Sequence, residues 1–159
     1  MSTFELLTLV CAIGSGLIAG VFFAFSTSIM RALGTLPPPH GIAAMQSINI
    51  VIINPWFLSV FLGTAAACVV TFVMSIARWQ SASTAGPLIG SVLYLVGVIV
   101  VTFRCNVPRN DALAAAAPEG ADGAALWVDY LATWTFWNHV RTLAAVGATV
   151  AFAVPRWVQ

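Results

Sequence analysis

Four long runs of apolar residues constrain this chain more than any other feature. They span residues 4–30, 56–77, 87–103 and 138–154, and each of the first three is followed directly by an arginine. A helix needs about 20 apolar residues to cross a bilayer, with a range near 17 to 25. Each run is long enough, so the sequence predicts four transmembrane helices.

Composition excludes a water-soluble domain. Of the 159 residues, 60% are hydrophobic and only 7% are charged, whereas soluble domains carry about 25% charged residues. Glu5 stands where a secretory signal would carry positive charge, so we interpret the first run as a retained helix. We predict one integral membrane domain over residues 1–159, an all-α four-helix transmembrane bundle with short interfacial helices in the connections on one side.

The two long connections lie on the same side of the membrane if there are four spans. They cover residues 31–55 and 104–137, and they hold nearly all of the polar residues outside the spans. Within the first of them, residues 41–53 predict a short interfacial helix. Function is therefore expected at this end of the bundle.

Local signals predict how the helices at this end begin. Asn54 before Pro55 is typical of an N-cap followed by proline at the first helical position. Residues 106–120 predict a proline-bent loop, followed by a short alanine-rich helix that Asn110 caps.

The arginines decide the predicted orientation. Arg78 and Arg156 favour a cytoplasmic N-terminus, which we adopt as the prediction for this multi-pass protein. A plain count of arginines favours the opposite orientation, unless some of those on the other side are site residues. Those on the other side are Arg31, Arg104, Arg109 and Arg141.

Small residues repeat every fourth position along the first span. Because lipid removes most of the hydrophobic drive for helix association, close approach through small side chains favours a helix contact here. The contact could lie within one chain or between chains, so the sequence is compatible with a homo-oligomer. The stripe comprises Ala12, Gly16, Gly20, Ala24 and Ser28, and the fourth span carries Ala144, Gly147 and Ala151 in a comparable position.

The segment "WTFWNHVR" over residues 134–141 gathers polar and aromatic side chains before the last apolar run. Trp134, Asn138 and Arg141 fall on one helical face, whereas His139 points roughly 100° away from Asn138. Each tryptophan alone would suit the aromatic belt of a membrane protein, and the arginine alone could snorkel to the boundary. Together they exceed what anchoring requires, which indicates a polar site.

Four asparagines on the same side are predicted to face this segment. Capping is the structural alternative for Asn54 and Asn110, but Asn49 and Asn106 have no such local explanation. At membrane depth an asparagine either bonds across helices or lines a polar site. The predicted substrate-binding residues are Asn49, Asn54, Asn106, Asn110, Trp134 and Trp137.

Proton transfer is the chemistry that these residues favour. His139 is the predicted base, Arg141 would stabilise a developing oxyanion, and Asn138 would orient the reacting group. The two histidines have no metal-ligand spacing and the three cysteines form no CxxC pair, so we predict no metal and no cofactor. The alternative is haem or a metal held through His139 or His40.

Four sequence segments resemble the anthrone-oxygenase-like family of small membrane proteins. They are "FFAFSTSIMRAL", "AMQSINIVIINPWFL", "NVPRNDAL" and "WTFWNHVRTLAA", and the resemblance spans nearly the whole chain in the same order. It implies a four-helix membrane protein and, from relatives in aromatic polyketide pathways, oxidation of an anthrone to an anthraquinone by O₂. An anthrone is flat, apolar and acidic at the carbon to be oxidised, and its enolate can react with O₂ without a metal.

Two functions follow from the sequence. The first is a membrane-embedded oxygenase that acts on an anthrone- or quinone-like substrate with O₂, by proton abstraction and enolate stabilisation at one end of the bundle. The alternative is a non-catalytic membrane subunit, or a protein that binds a small lipid or quinone. The expected partners are an apolar small molecule, O₂ and the lipid bilayer, with no nucleic acid.

Overall fold

The computed structural model describes residues 1–78, 84–120 and 122–154. These residues form five helices and contain no strand, which confirms the predicted all-α fold. The helices are α1 (Thr3–Gly34), α2 (Pro38–Val51), α3 (Pro55–Ala77), α4 (Ala85–Ala115) and α5 (Gly123–Ala153).

Within the described ranges, three helices are long and apolar enough to cross a membrane, namely α1, α3 and α4. The chain is therefore an integral membrane protein. Helix α5 has 31 residues, about 46 Å at 1.5 Å per residue, but polar residues such as Asn138 and Arg141 interrupt its apolar part. Both of these side chains are buried against other helices. The predicted crossing over 138–154 lies in this helix and stays a prediction.

Helix α5 packs against both α1 and α4. Helix α3 also packs against these two helices. The buried face of α5 includes Ala145, Ala148 and Phe152 in the main apolar core. The approach to α4 is close at Gly90, where an added Cβ would lie 2.9 Å from the Phe152 ring. Small residues therefore let the backbones approach, as expected for helices that pack in lipid.

Only part of the predicted small-residue stripe on α1 makes contacts inside the chain: Ala12 packs against the main apolar core, and a Cβ at Gly16 would lie 3.6 Å from Thr149 of α5. Gly20 would meet nothing within 4 Å if it carried a Cβ, and Ser28 is exposed. Helix α1 approaches α3 closely at Gly14, where a Cβ would overlap the Thr64 side chain. A contact between chains along the stripe stays a prediction.

The long connections fold into a helical cap over one end of the bundle. Helix α2 covers most of the segment predicted as a short helix, and Gln46 on it donates to the carbonyls of Leu113 (2.8 Å) and Ala116 (3.0 Å). These bonds satisfy carbonyls left open where α4 ends. The cap has its own apolar cluster, formed by Met30, Leu33, Ile42, Met45, Leu113, Trp127, Tyr130 and Trp134.

Helix α4 differs from the prediction because it does not break at Pro108. It continues to Ala115, so the predicted loop before Asn110 was wrong, and Asn110 lies inside a helix rather than capping one. The predicted short alanine-rich helix is present as the last part of α4. A proline ring crowds the carbonyl four residues earlier. The wide π-helical turn at Thr102–Asn106 lies directly before it and gives the ring room.

Replacing Gly14 by alanine should destabilise the bundle. The new Cβ would overlap Thr64, whose own Cβ lies 3.0 Å away, so rotation of the hydroxyl cannot relieve the contact. We expect a cost of about 1–3 kcal/mol, typical of overpacking, seen as a lower midpoint of thermal unfolding in detergent.

Gly20→Ala is the matched control, since nothing lies near that position and alanine favours a helix over glycine. Thr64→Ala removes the overlapping hydroxyl and methyl groups but keeps the Cβ at 3.0 Å, so it should restore part of the stability of Gly14→Ala. Equal midpoints for the two glycine variants would contradict the close packing of α1 on α3.

Candidate functional site

A cavity of about 230 Å³ lies where the helical cap meets the bundle. Helices α1 to α4 form most of its wall, and α5 contributes Trp134 and Arg141. Most of the lining is apolar, including Phe22, Phe25 and Phe57. The polar groups that line it are few, as is usual for a small-molecule site: they belong to Asn49, Thr102, Asn110, Trp134 and Arg141.

Arg141 places a buried positive charge at this cavity. Only 5% of the residue is exposed; Nη1 donates to Thr102 Oγ1 (3.2 Å) and Nη2 to Asn138 Oδ1 (2.7 Å). Its Cζ lies 4.2 Å from the ring centroid of Phe22 and 5.2 Å from that of Trp134, both within the range of cation–π attraction.

Among the described residues, the charge of Arg141 has no anionic partner in the cavity lining. None of the described lining residues is acidic, and Nε is buried without a hydrogen-bond partner in the described structure. A buried charge is costly unless it is paired. The arrangement is therefore suited to an anion, or to an oxygen on which negative charge develops.

Asn138 positions Arg141 and does not line the cavity itself. Its amide nitrogen donates to the Phe22 carbonyl and to Ser26 Oγ, both at 2.8 Å, so its oxygen is turned toward Arg141. Ser26 lies in the π-helical turn Phe25–Ile29 of α1 and also bonds Thr142 at 3.1 Å. Asn138 thus fixes the guanidinium between α1 and α5, and its predicted catalytic role stays a prediction.

Asn110 lines the cavity and has an amide that is only partly used in hydrogen bonds among the described residues. Its Oδ1 accepts from Trp134 Nε1 (2.8 Å) and from the Tyr130 hydroxyl (2.9 Å). An indole nitrogen can only donate, so the oxygen must face Trp134, and the amide nitrogen is directed away from it. Among the described contacts that nitrogen has no protein partner and can donate to a ligand.

Asn106 fastens α4 to α5 behind the cavity. Its amide nitrogen donates to the Trp134 carbonyl (3.2 Å), while its oxygen is buried without a partner among the described residues. The Trp134 ring stacks on the Tyr130 ring, with centroids 6.0 Å apart, and lies tilted against the Phe25 ring, with centroids 5.7 Å apart. Asparagines on α4 therefore hold both the backbone and the ring of this tryptophan.

Several predicted site residues lie away from the cavity. Asn54 caps α3, since its Oδ1 accepts from the Phe57 amide at 3.0 Å. Trp137 packs edge-on against Phe136, and His139 is exposed; neither lines the cavity. Successive helical residues point about 100° apart, so His139 faces outward when Asn138 and Arg141 face inward.

Sequence reasoning missed the residues that complete the surroundings of Arg141. Thr102 stands four positions before Asn106, and Phe22 four before Ser26, so each pair shares a helical face. Inside an apolar run, a threonine four positions from an asparagine therefore indicates a polar helical face. Within the described ranges, no group of three metal-binding side chains comes together.

Comparison with known proteins gives a family match. The model of a family described as anthrone oxygenase matches residues 56–151, more than half of the chain. The match covers α3, α4 and nearly all of α5, and therefore Asn106, Asn110, Trp134 and Arg141. No curated protein and no solved structure matches the chain.

Asn138→Ala should lower stability, because it removes a partner from Arg141, Phe22 and Ser26 at once. Leaving buried polar groups unpaired costs about 1–3 kcal/mol, more for a charged one. The adjacent His139→Ala is the matched control and should stay within about 0.5 kcal/mol, as for exposed positions. Thermal unfolding in detergent measures both, and similar midpoints would contradict the positioning role of Asn138.

Proposed function

The chain belongs to the anthrone oxygenase family, and we propose that it is a membrane-embedded oxygenase that oxidises an apolar, anthrone-like aromatic substrate with O₂. The observation that carries the proposal is the buried guanidinium of Arg141, which lines an apolar cavity and has only neutral hydrogen-bond partners in the described structure. A flat aromatic molecule with a single acidic region matches these surroundings.

The overall reaction converts a CH₂ group and O₂ into a carbonyl group and water. Loss of one proton from the CH₂ carbon gives an enolate, whose negative charge is shared with the oxygen across the ring. The carbon of the enolate donates electrons to O₂ and forms a C–O bond to a peroxide. Loss of water from the protonated peroxide, with the second hydrogen of the carbon, leaves the new carbonyl.

Arg141 would act on the first of these steps. A cation fixed beside the oxygen of the substrate stabilises the enolate more than the neutral ketone, so the substrate becomes more acidic. The effect is strong where the lining is mostly apolar, because the local dielectric is low. Thr102 and Asn138 hold the guanidinium, so little reorganisation accompanies the charge change.

The remaining lining supports binding of a flat molecule. Phe25, Phe57 and Trp134 provide aromatic surface in the cavity, and aromatic faces pack well against each other. The Asn110 amide offers a donor to a second oxygen of the substrate, such as a phenol or carbonyl oxygen.

The proton acceptor is the part of the sequence prediction that this geometry does not support. His139 is exposed and outside the cavity, and none of the described lining residues is a histidine or a carboxylate. We therefore assign proton removal to water, with the substrate already acidified by Arg141.

The same observation favours the second candidate function. A site with a cation and donors but without a described base could hold a quinone or an anionic lipid headgroup and leave it unchanged. The two functions are separated by turnover: the oxygenase consumes O₂ and forms an anthraquinone, and the binding protein does neither.

Arg141→Met should reduce kcat/KM for anthrone by about 100-fold or more, the effect of losing a positioned oxyanion donor. The assay uses purified protein in phospholipid nanodiscs under air, with O₂ uptake and quinone absorbance as readouts. His139→Ala should keep the wild-type rate, which separates this proposal from histidine base catalysis. Wild-type protein that binds anthraquinone but turns over no anthrone would overturn the oxygenase and favour the binding protein.

Asn110→Asp should raise KM by about 10-fold, the equivalent of roughly 1.4 kcal/mol. The carboxylate still accepts from Trp134 and Tyr130, but it loses the donor and places negative charge beside a ligand that becomes an anion. Asn54→Ser is the control, because serine also caps a helix and places no charge beside the Val51 and Ile52 carbonyls that Asn54 bonds. Equal KM values for both variants would show that the Asn110 amide does not contact the substrate.

A further inference from the structure

We propose that the cavity opens to the bilayer and that its ligand enters from the lipid. The mouth lies between the corner that joins α2 to α3 and the side of α4. It is rimmed by Ile53, Leu62 and Phe103, the exposed members of the cavity lining. The entry of a substrate rests on the proposed function, whereas the position of the mouth does not.

Polarity increases from the mouth of the cavity to its buried end. The three rim residues are 69%, 47% and 54% exposed, in chain order, and all are large and apolar. Trp134 and Arg141, which bring polar groups to the lining, are each 5% exposed. An entrance from water would leave large apolar side chains in contact with water, which is unfavourable. An entrance from lipid has no such cost.

The position of Leu62 places the mouth below the membrane surface. Helix α3 begins at Pro55, and seven residues at 1.5 Å each put Leu62 about 10 Å along it. The helix has 23 residues, about 35 Å, close to the 30 Å thickness of the hydrocarbon core. Leu62 therefore faces acyl chains when α3 spans the bilayer.

The corner beside the mouth carries further exposed apolar residues. Ile50, Val51 and Trp56 are all exposed there, next to Ile53. Tryptophan favours the headgroup boundary and aliphatic side chains favour the acyl region. The corner thus provides a lipid-facing border that continues into the rim, and lipid is the partner whose chemistry matches it.

A substrate dissolved in the bilayer would meet this mouth directly. A flat polycyclic molecule and O₂ are both apolar and both partition into hydrocarbon. The acidic region of the substrate would then move inward along the rising polarity until its oxygen reaches Arg141. This route delivers both reactants without passage through water.

The first experiment asks what surrounds the mouth. A nitroxide is attached to Leu62→Cys in the full-length Cys105→Ser protein, since Cys11 and Cys68 are buried; the protein is then reconstituted into phosphatidylcholine vesicles. The matched control is Val69→Cys, which is two helical turns further along the same face of α3 and equally exposed (49%). We expect O₂ to relax both labels strongly and a water-soluble nickel chelate to relax both weakly.

Adding 1,8-dihydroxyanthraquinone to the vesicles should slow the motion of the label at position 62 and leave that at 69 unchanged. Stronger relaxation of the label at 62 by the nickel chelate than by O₂ would overturn the lipid-facing mouth. Unchanged spectra at both positions, with the ligand bound as judged by tryptophan quenching, would overturn this mouth as the route.

The second experiment uses turnover. Leu62→Trp should lower kcat/KM for anthrone in vesicles by about 10-fold or more, the size of effect expected from one overpacked side chain, while Val69→Trp keeps the wild-type value. Equal rates for the two variants would contradict the route. Protein that turns over no anthrone yet gives the expected spin-label result has lost the proposed function and kept the lipid-facing mouth.

Discussion

The buried charge of Arg141 is the constraint on which this end of the bundle depends. A guanidinium among apolar helices is costly, and the described structure compensates it with neutral groups only: Thr102, Asn138 and the faces of two aromatic rings. These groups come from α1, α4 and α5, so compensation also holds the three helices together. A carboxylate would have cancelled the charge, whereas neutral partners leave it available to a ligand.

Two of the three π-helical stretches in the described residues carry groups of this compensation, and the third, Leu93–Val100, lies outside the cavity lining. One of the two lies at Phe25–Ile29 in α1 and the other at Thr102–Asn106 in α4. A π-helical turn holds more residues than an α-helical turn, which changes the direction of the side chains that follow, and such turns are frequent at functional sites. Here they carry Ser26, Thr102 and Asn106, all of which bond residues of α5. Local helix geometry is thus adapted to the needs of the site.

What the sequence predicts well is what depends on local geometry. The buried face of α5 follows from the spacing of Trp134, Asn138 and Arg141, and the same spacing turns His139 outward even though its chemistry suggested a base. The role of Asn110 depends on Trp134, 24 positions later in the chain, and no local rule reveals such a pairing. The passage of α4 through Pro108 was missed for a related reason, because a π-helical turn overrides the usual effect of proline.

The site can bind a ligand and polarise its oxygen, but none of its described lining residues is a base. The substrate itself must therefore be acidic. If Arg141 supplies the stabilisation as proposed, only a molecule whose C–H bond is already acidic, and whose anion reacts directly with O₂, would be oxidised. A flat apolar molecule with a less acidic C–H would occupy the same cavity and leave unchanged. The selectivity of the proposed oxygenase would then come from the acidity of the ligand as much as from its shape. An oxygenase and a binding protein could therefore share the same site. They would differ mainly in the molecule that enters it.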